Sequence, residues 1–346
     1  MKVIYKSFGQ IDYQTVSSFT LVNDNGVEVT AINYGCTITK IVVPDKNGNY
    51  ENVVLGHDSL NDYLKDPYFL GAVVGRVGGR IKGGSFELDG QIYTLAKNDG
   101  NNHLHGGIKG FDKVVWDAEV MEEGVRFSYF SPDGEEGYPG NLYIQVTYTL
   151  NNNNEFTIHY AAQTDKKTLL TVTNHAYFNL SGSLKRDIVN HALTIKSDQF
   201  LELDQEYIPT GIFVDVKNTP FDFTSERIIE TGIASDHPQN VLVGNGYDHP
   251  FLLKTNHDNE IVLKDPDSGR VLTIETDEAG VVVYSGNSLK TEGEFRGTPS
   301  GKHLGICLET QRMPDAIHHP HFPSIILDSD QKYSSKTVYK FGIEKE

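Results

Sequence analysis

A carboxylate within an apolar run is the first feature of this sequence that could do chemistry. Glu309 lies in the segment Gly305–Gln311, and an extended chain there puts Ile306 and Leu308 on one face and Cys307 and Glu309 on the other. Burial without a partner raises the pKa of a carboxyl group toward neutrality, which suits a general base. A strand end in water or a structural ion pair is the alternative, and this segment leaves both interpretations open.

An imidazole lies in a second segment of similar character, Thr171–Leu180. If this segment is extended, His175 shares a face with Thr173 and Tyr177, beside an aromatic ring. Since the unperturbed pKa of histidine is about 6.5, such a side chain can donate and recover a proton at neutral pH. The pattern indicates either a general acid or a hydrogen-bonded histidine in a half-buried strand.

Three glycine-rich segments carry further polar side chains, namely Arg80, His105 and Asp248. Glycine allows a tight bend or the close approach of a ligand to the backbone, so these side chains could point into a cavity from loops. An arginine fork and a carboxylate can both bind sugar hydroxyls. The alternatives are an arginine paired with a surface carboxylate and an aspartate that caps its own turn.

Neither a metal nor a cofactor is predicted. His103 and His105 alternate, but no cysteine or acidic ligand cluster follows at zinc-like spacing. The glycines of Gly75–Gly84 match neither the dinucleotide nor the P-loop spacing, and no helix follows them to bind a phosphate.

The composition excludes several classes of partner. The 346 residues carry a net charge of -17, which argues against binding to nucleic acid or to anionic membranes. We expect no transmembrane helix, because no apolar run approaches about 18 residues. The N-terminus lacks the apolar stretch of a secretory signal, so we expect a cytoplasmic protein in which Cys36 and Cys307 are free thiols.

Alternating apolar residues predict the elements that must position these side chains. The segment Leu142–Leu150 has an apolar residue at every second position, and similar runs recur along the chain between turn signals such as Asn25-Gly26 and Asp89-Gly90. Short helices are predicted only near Ser59–Leu64 and Glu226–Ile229. Because no βαβ alternation, linker or repeat is present, the sequence predicts one all-β domain of stacked antiparallel sheets over residues 1–346.

Taken together, these segments resemble the aldose 1-epimerase (galactose mutarotase) family over nearly the whole chain. A single motif would be weak evidence for the family, but seven motifs that occur in the family's order along the chain are hard to explain by chance. The matching motifs are Gly75-Arg76 with Arg80-Ile81, Leu104–Gly107, Asp133-Gly134 with Gly137–Gly140, Thr173–Leu180, Gly246–His249, Tyr284–Asn287, and Cys307–Gln311 with Pro314–Ala316.

The resemblance implies a large antiparallel β-sandwich with a few short helices. It also implies interconversion of the α and β anomers of a free hexose, without metal or cofactor. In this resemblance Glu309 corresponds to the general base and His175 to the general acid. The substrate ligands it implies are Arg80, His105, Asp248 and Tyr177.

Several alternatives stay open from the sequence. A glycoside hydrolase could use Asp248 and Glu309 as its two carboxylates, and a noncatalytic sugar-binding module could share the fold. An epimerase for a phosphorylated hexose would need a basic cluster, of which the acidic sequence gives little sign. Gly79 stands where many family members have Asn, and Val282 where some have Gln, so hexose preference is open. We expect a small aldose as the partner and a monomer or weak homodimer.

Overall fold

The computed structural model describes residues 2–344, and most of its regular structure is β-strand. The α-helices are α1 Leu60–Lys65, α2 Glu230–Ile233 and α3 Pro238–Leu242, and short 3-10 turns span Lys82–Gly84, Phe111–Lys113, Glu135–Gly137 and Ala316–His318. The helix predicted near Ser59–Leu64 is confirmed as α1, with the Ser59 hydroxyl accepting a hydrogen bond from the Asp62 amide.

Thirty strands are present in the described residues, numbered here in chain order. They are β1 Lys2–Ile11, β2 Gln14–Val22, β3 Glu28–Ile32, β4 Ile38–Pro44, β5 Tyr50–Asn52, β6 Val73–Val74, β7 Arg80–Ile81, β8 Ser85–Leu88, β9 Gln91–Thr94, β10 His103–Leu104, β11 Asp117–Met121, β12 Gly124–Ser131, β13 Leu142–Leu150, β14 Glu155–Thr164 and β15 Thr168–Leu169. The second half comprises β16 Thr173–Asn174, β17 Tyr177–Phe178, β18 Ala192–Ile195, β19 Gln199–Leu203, β20 Pro209–Asp215, β21 Arg227–Ile228, β22 Asp248–Leu252, β23 Ile261–Asp265, β24 Arg270–Thr276, β25 Gly280–Tyr284, β26 Glu294–Phe295, β27 Thr298–Pro299, β28 Ile306–Gln311, β29 Ile326–Leu327 and β30 Lys332–Ile343.

Three antiparallel sheets form the body of the protein. A five-stranded sheet has the order β1-β2-β3-β4-β5, and a nine-stranded sheet has the order β11-β12-β13-β14-β30-β24-β23-β18-β21. A six-stranded sheet has the order β17-β28-β25-β22-β19-β20. The predicted all-β fold with a few short helices is therefore confirmed.

The nine-stranded sheet packs against both of the other sheets. Phe19 of β2 contacts Phe127 of β12 with ring centroids 5.6 Å apart, and Phe178 of β17 contacts Tyr339 of β30 at 5.7 Å. All four rings belong to one buried apolar cluster. Burying a large apolar side chain contributes roughly 1.5–3 kcal/mol, so this shared core holds the sheets together as a sandwich.

Alternation along β13 shows why the sequence forms these strands. Leu142, Ile144, Val146, Tyr148 and Leu150 are buried, while the residues between them are exposed or half-buried. Turn residues then reverse the chain between paired strands. For example, Gly26 and Gly90 have φ values of 82° and 77°, a region that glycine enters without steric cost.

The helix predicted at Glu226–Ile229 is wrong. Arg227 and Ile228 instead form β21, the edge strand that pairs with β18, and α2 begins only at Glu230. Ile229 is fully buried, and its amide donates a hydrogen bond to the His191 carbonyl at 3.0 Å. Pairing with β18 and the hydrogen bond to His191 therefore use the backbone N–H and C=O groups that a local helix would have paired internally.

The outer face of the six-stranded sheet is where the candidate site residues lie. On β28, Ile306 and Leu308 belong to the buried apolar cluster shared with the nine-stranded sheet, so Cys307 and Glu309 point to the other side. Val282 of the neighbouring strand β25 is paired directly with Glu309. The predicted division of the two faces of this strand is therefore confirmed.

Two smaller expectations concern membranes and thiols. Within residues 2–344, no helix is long and apolar enough to cross a membrane. Cys36 and Cys307 are both buried and unpaired, as predicted.

Candidate active site

A cavity of about 300 Å³ opens on the outer face of the six-stranded sheet. This volume is at the small end of the range for ligand pockets, roughly 300–1,000 Å³. The six side chains singled out in the sequence all line it: Arg80, His105, His175, Tyr177, Asp248 and Glu309. They come from strands, strand ends and loops that are far apart in the chain, so the fold brings them together.

Glu309 and His175 are adjacent in this cavity. The Glu309 Oε1 atom lies 3.5 Å from His175 Nε2, and both residues are buried, with 3% and 5% of their surface exposed. Burial raises the pKa of the Glu309 carboxyl well above its ordinary value, and the nearby Asp248 carboxylate adds to that increase. Burial also lowers the pKa of His175 to about 4. A carboxyl group and an imidazole of altered acidity thus face the same space.

The other nitrogen of the His175 ring contacts a thiol. Cys307 Sγ lies 3.5 Å from His175 Nδ1, and burial raises the pKa of this thiol well above its ordinary value. Cys307 therefore stays protonated, and its sulfur can accept the hydrogen of Nδ1. In that tautomer of the neutral imidazole, Nε2 presents a lone pair toward Glu309, the group that can give it a proton.

The tautomer of the His105 ring is set by a backbone donor. The Gly79 amide donates a hydrogen bond to His105 Nδ1 at 3.1 Å, so the ring hydrogen lies on Nε2. Burial, and then the neighbouring His175, keep the pKa of His105 well below its ordinary value. His105 is therefore a neutral side chain that can donate a hydrogen bond into the cavity.

This tautomer does not suit a metal ion. Ligand atoms of His105, His175 and Glu309 all lie within 4.8 Å of one another, a spacing that could hold a cation. A histidine that binds a metal through one ring nitrogen donates its other N–H to a neighbour. His105 instead accepts a hydrogen bond at Nδ1 from Gly79, so its Nε2 lone pair is taken by hydrogen.

The two arginines of the glycine-rich segment have different environments. Arg76 is buried and donates to the Ser131 hydroxyl and the Pro139 carbonyl, so it is part of the framework. Arg80 lines the cavity, and its Nε donates to an Asp99 carboxylate oxygen at 2.7 Å. Pairing through Nε leaves both terminal nitrogens of Arg80 free to donate to a ligand.

Asp248 begins strand β22, where it pairs with Tyr284 of β25. Burial raises the pKa of its carboxyl group, and the charge of Arg80 opposes that increase. Its backbone amide donates to His249 Nδ1, but no hydrogen bond from the backbone of its own turn reaches its carboxylate in residues 2–344. The turn-capping interpretation is therefore wrong, and the carboxylate is available in the cavity.

Tyr177 and Val282 form apolar parts of the wall. The ring of Tyr177 lies 5.1 Å from that of His175, on the side that the alternation predicted. Val282 is 8% exposed and lies beside Glu309, where it adds no hydrogen bond but keeps water from the carboxyl group. At Gly79 a Cβ atom would lie 2.9 Å from the Pro314 ring, so a side chain there requires Pro314 to move.

Other cavity residues were not assigned from the sequence. Gln311 lies on the same face of β28 as Glu309, and both atoms of its buried amide lack a hydrogen-bond partner within residues 2–344. Its spacing of two from Glu309 could have predicted this. Phe69 and Tyr207 also line the cavity, but no motif or periodicity indicates them.

A family model and several named proteins match this chain over most of its length. A family model described as aldose 1-epimerase matches residues 17–340. The chain is 46% identical to galactose mutarotase of Bos taurus over 335 residues, with 95% of each chain covered. It is 36% identical to aldose 1-epimerase of Escherichia coli strain K12 over 339 residues, covering 96% of this chain and 97% of the relative.

A solved structure shows the same similarity in three dimensions. The crystal structure of galactose 1-epimerase from Lactobacillus acidophilus superimposes with a TM-score of 0.88 at 32% identity, and 99% of each chain is covered. Sequence and structure therefore agree over almost the whole chain.

Proposed function

The chain belongs to the aldose 1-epimerase family, and from this membership we propose that it interconverts the α and β anomers of free aldohexoses, most readily galactose and glucose. The relatives described as galactose mutarotase and aldose 1-epimerase support this activity. The protein is then an isomerase that opens and recloses a hemiacetal ring.

The contact between Glu309 and His175 carries the proposal for the mechanism. Opening the ring requires a proton to leave the anomeric hydroxyl O1 and another to reach the ring oxygen O5. Both oxygens are bonded to the same carbon, C1, so a base and an acid that serve them must lie close together. The distance of 3.5 Å between Glu309 Oε1 and His175 Nε2 meets that requirement.

In the forward step, Glu309 takes the proton from O1 as the C1–O1 bond becomes a carbonyl. The electron pair of the C1–O5 bond passes to O5, which takes a proton from His175 Nε2. Rotation about C1–C2 presents the other face of the aldehyde; as the ring closes, His175 takes its proton back from O5 and Glu309 gives its proton to O1. No proton is gained or lost over the cycle, so water is not needed as acid or base.

The proton that this step needs on His175 is already present in the pair. A neutral carboxyl group beside a neutral imidazole carries the same number of protons as a carboxylate beside an imidazolium. The raised pKa of Glu309 keeps that proton in the cavity, and a short transfer from Glu309 to His175 makes both groups competent.

The remaining polar groups hold the sugar in place. Arg80 and His105 offer N–H donors to hydroxyl oxygens, and the Asp248 carboxylate accepts from hydroxyl hydrogens. Tyr177 completes the set as a ring beside His175. Binding energy from these contacts fixes C1 and O5 against the reacting groups, which is how such contacts accelerate a reaction.

The charge of the cavity favours a neutral sugar. Among the described residues that line it, Arg80 is the only lysine or arginine, and it is already paired with Asp99. A phosphorylated hexose would bring further negative charge next to Asp248 and Glu309 without a matching cation. Free hexoses are therefore the better substrates.

A glycoside hydrolase and a noncatalytic sugar-binding module would use these residues differently. A glycoside hydrolase that used Asp248 and Glu309 would have no use for the contact between Glu309 and His175. A noncatalytic binding module would not need a buried base of raised pKa. The family match and this geometry both favour the epimerase.

Polarimetry tests the proposal directly. Freshly dissolved α-galactose should relax to its equilibrium rotation faster with the protein than in buffer, and α-glucose should respond in the same way. Glucose 6-phosphate should respond weakly. Relaxation at the buffer rate would leave only a binding function, and release of nitrophenol from an aryl galactoside would instead indicate a hydrolase.

Three further points are part of the same proposal. We propose one domain, because a single cavity draws on residues from Arg80 to Glu309. We propose a cytoplasmic protein, because both buried cysteines are free thiols. We propose a monomer or weak homodimer, since each chain holds the whole set of reacting groups, and sedimentation measures that state.

A further inference from the structure

Phe69 has an unusual backbone at the edge of the cavity. Its φ is 57°, a left-handed conformation that is a genuine outlier for a bulky side chain. Phe69 and Tyr207 are the only phenylalanine or tyrosine residues with positive φ in residues 2–344, and both line the cavity. Strain of this kind persists only where the surrounding structure imposes it, and it concentrates at functional sites.

Hydrogen bonds tie the turn that carries Phe69 to the backbone of His175. The Ala72 amide donates to the Phe69 carbonyl at 3.0 Å, which closes the turn. The Gly71 amide donates to the His175 carbonyl, and the His175 amide donates to the Ala72 carbonyl, at 3.0 and 2.8 Å. The backbone of the turn that carries Phe69 is therefore held in place relative to the backbone of His175.

The ring itself contacts both imidazoles of the cavity. Its centroid lies 4.8 Å from that of His105 and 5.8 Å from that of His175, while the two imidazoles are 5.2 Å apart and perpendicular. The ammonium group of Lys113 lies 5.6 Å from the Phe69 centroid and adds a cation–π contact. Three rings thus restrict one another's orientation.

We propose that Phe69 is a positioning residue that holds the imidazoles of His105 and His175 in the orientation that the reaction needs. It has no polar atom and takes no part in proton transfer. When the Phe69 ring is removed, each imidazole gains freedom to rotate about its χ2 angle. Its Nε2 atom then no longer points at the sugar oxygen on which it acts. This inference rests on the proposed function, because it assumes that both histidines act on the sugar.

Three variants of Phe69 and one control test the proposal. Phe69→Leu keeps an apolar side chain but removes the ring, so kcat for α-galactose should fall by about tenfold to a hundredfold. Phe69→Tyr keeps the ring and should retain kcat within about threefold of the wild type. Phe130→Leu, at a side chain that is 57% exposed on the surface, should leave kcat unchanged.

A third variant separates positioning from folding. Asn tolerates a left-handed backbone, so Phe69→Asn should keep or raise the melting temperature while kcat falls as in Phe69→Leu. The imidazole nitrogen NMR signals of His105 and His175, which respond to hydrogen bonding far more than to the loss of a neighbouring ring current, should shift in the Leu and Asn variants but not in Phe69→Tyr. A purely structural role would lower the melting temperature and leave those signals in place.

The outcomes distinguish this inference from the proposed function. If the wild type does not accelerate relaxation, the proposed function fails, whatever Phe69 does. If the wild type is active and Phe69→Leu keeps its kcat and its imidazole signals, only the positioning role is overturned.

Discussion

Glu309 illustrates how one side chain obtains its chemistry from its surroundings. Strand alternation places it on the outer face of the six-stranded sheet, and its neighbours there include Val282, which excludes water, and His175, which faces its carboxyl group. Burial and the Asp248 charge raise its pKa, so its carboxylate is a stronger base than an exposed one and can accept a proton near neutral pH.

Removing either member of this pair should abolish most of the activity. In Glu309→Gln and His175→Asn, each variant loses one acid–base group, so kcat in polarimetry should fall by about a hundredfold to ten-thousandfold. Both proteins should keep the wild-type melting temperature within a few degrees. Matched controls are Glu87→Gln and His159→Asn, whose side chains are exposed or partly exposed on other strands. Near-normal turnover in Glu309→Gln or His175→Asn would contradict the assigned roles.

The charge of Asp248 should be visible in the pH profile. Since Asp248 helps to raise the pKa of Glu309, Asp248→Asn should lower that pKa. In the proposed mechanism the pair of Glu309 and His175 must hold one proton, which is lost as the pH rises past the pKa of Glu309, so the alkaline limb of the kcat/KM profile should move to lower pH in this variant. KM should rise as well, because a proposed sugar ligand is lost. An alkaline limb that stays in place or moves to higher pH would show that Asp248 does not act on Glu309.

Loops and strands position the site through close backbone contacts. The sequence suggested that the glycines after His105 allow a ligand to approach, or a tight bend. The structure shows that Gly106 packs against the neighbouring glycine-rich segment, where a Cβ atom would lie 1.7 Å from the Gly75 carbonyl oxygen. The glycine therefore lets two loops meet and holds His105 between them.

A substitution at Gly106 tests this packing. Gly106→Ala requires backbone movement in addition to a φ of 85°, so unfolding free energy should fall by about 3 kcal/mol or more, and activity should fall with it. The matched control is Gly90→Ala, whose φ is 77° but whose Cβ would meet nothing within 4 Å. That control should lose only about 1 kcal/mol, from strain in the turn. Equal losses in urea denaturation would argue against the close contact.

The folded protein as a whole buries several neutral histidines. Burial lowers the pKa of His191 to about 4 and that of His249 to about 3, in addition to that of His175. The unfolded chain binds protons at these rings near pH 6.5, so it gains protons before the folded protein does. Stability from these residues is therefore present at neutral pH and is lost as the pH falls from about 6.5 toward 4.

His191→Gln isolates one part of this dependence. The ring accepts a hydrogen bond from the Leu180 amide at Nε2, and a glutamine oxygen can replace that acceptor without titrating. Between pH 7 and pH 5 the wild type should lose about 2 kcal/mol more unfolding free energy than this variant. Urea midpoints at both values measure the difference, and His159→Gln is the control. An unchanged pH dependence would mean that His191 is not neutral in the fold.

Much of the architecture could be predicted from local patterns. Alternation over Leu142–Leu150 predicted a strand with one buried face, because the side-chain period of a strand depends only on the residues along it. Glycine turns and the helix at Leu60–Lys65 are local in the same sense. The same period placed Cys307 and Glu309 on a common face of β28.

Contacts between distant segments could not be read from such patterns. No local signal indicates that Gly79 donates to His105, that Cys307 contacts His175, or that the Phe69 ring lies against both imidazoles. The segment predicted as a helix at Glu226–Ile229 instead contains strand β21, because pairing with β18 outweighs a weak local preference for helix. Periodicity states which way a side chain points, but its partners are set by how the sheets and loops pack. Each pKa and tautomer in the cavity follows from those partners.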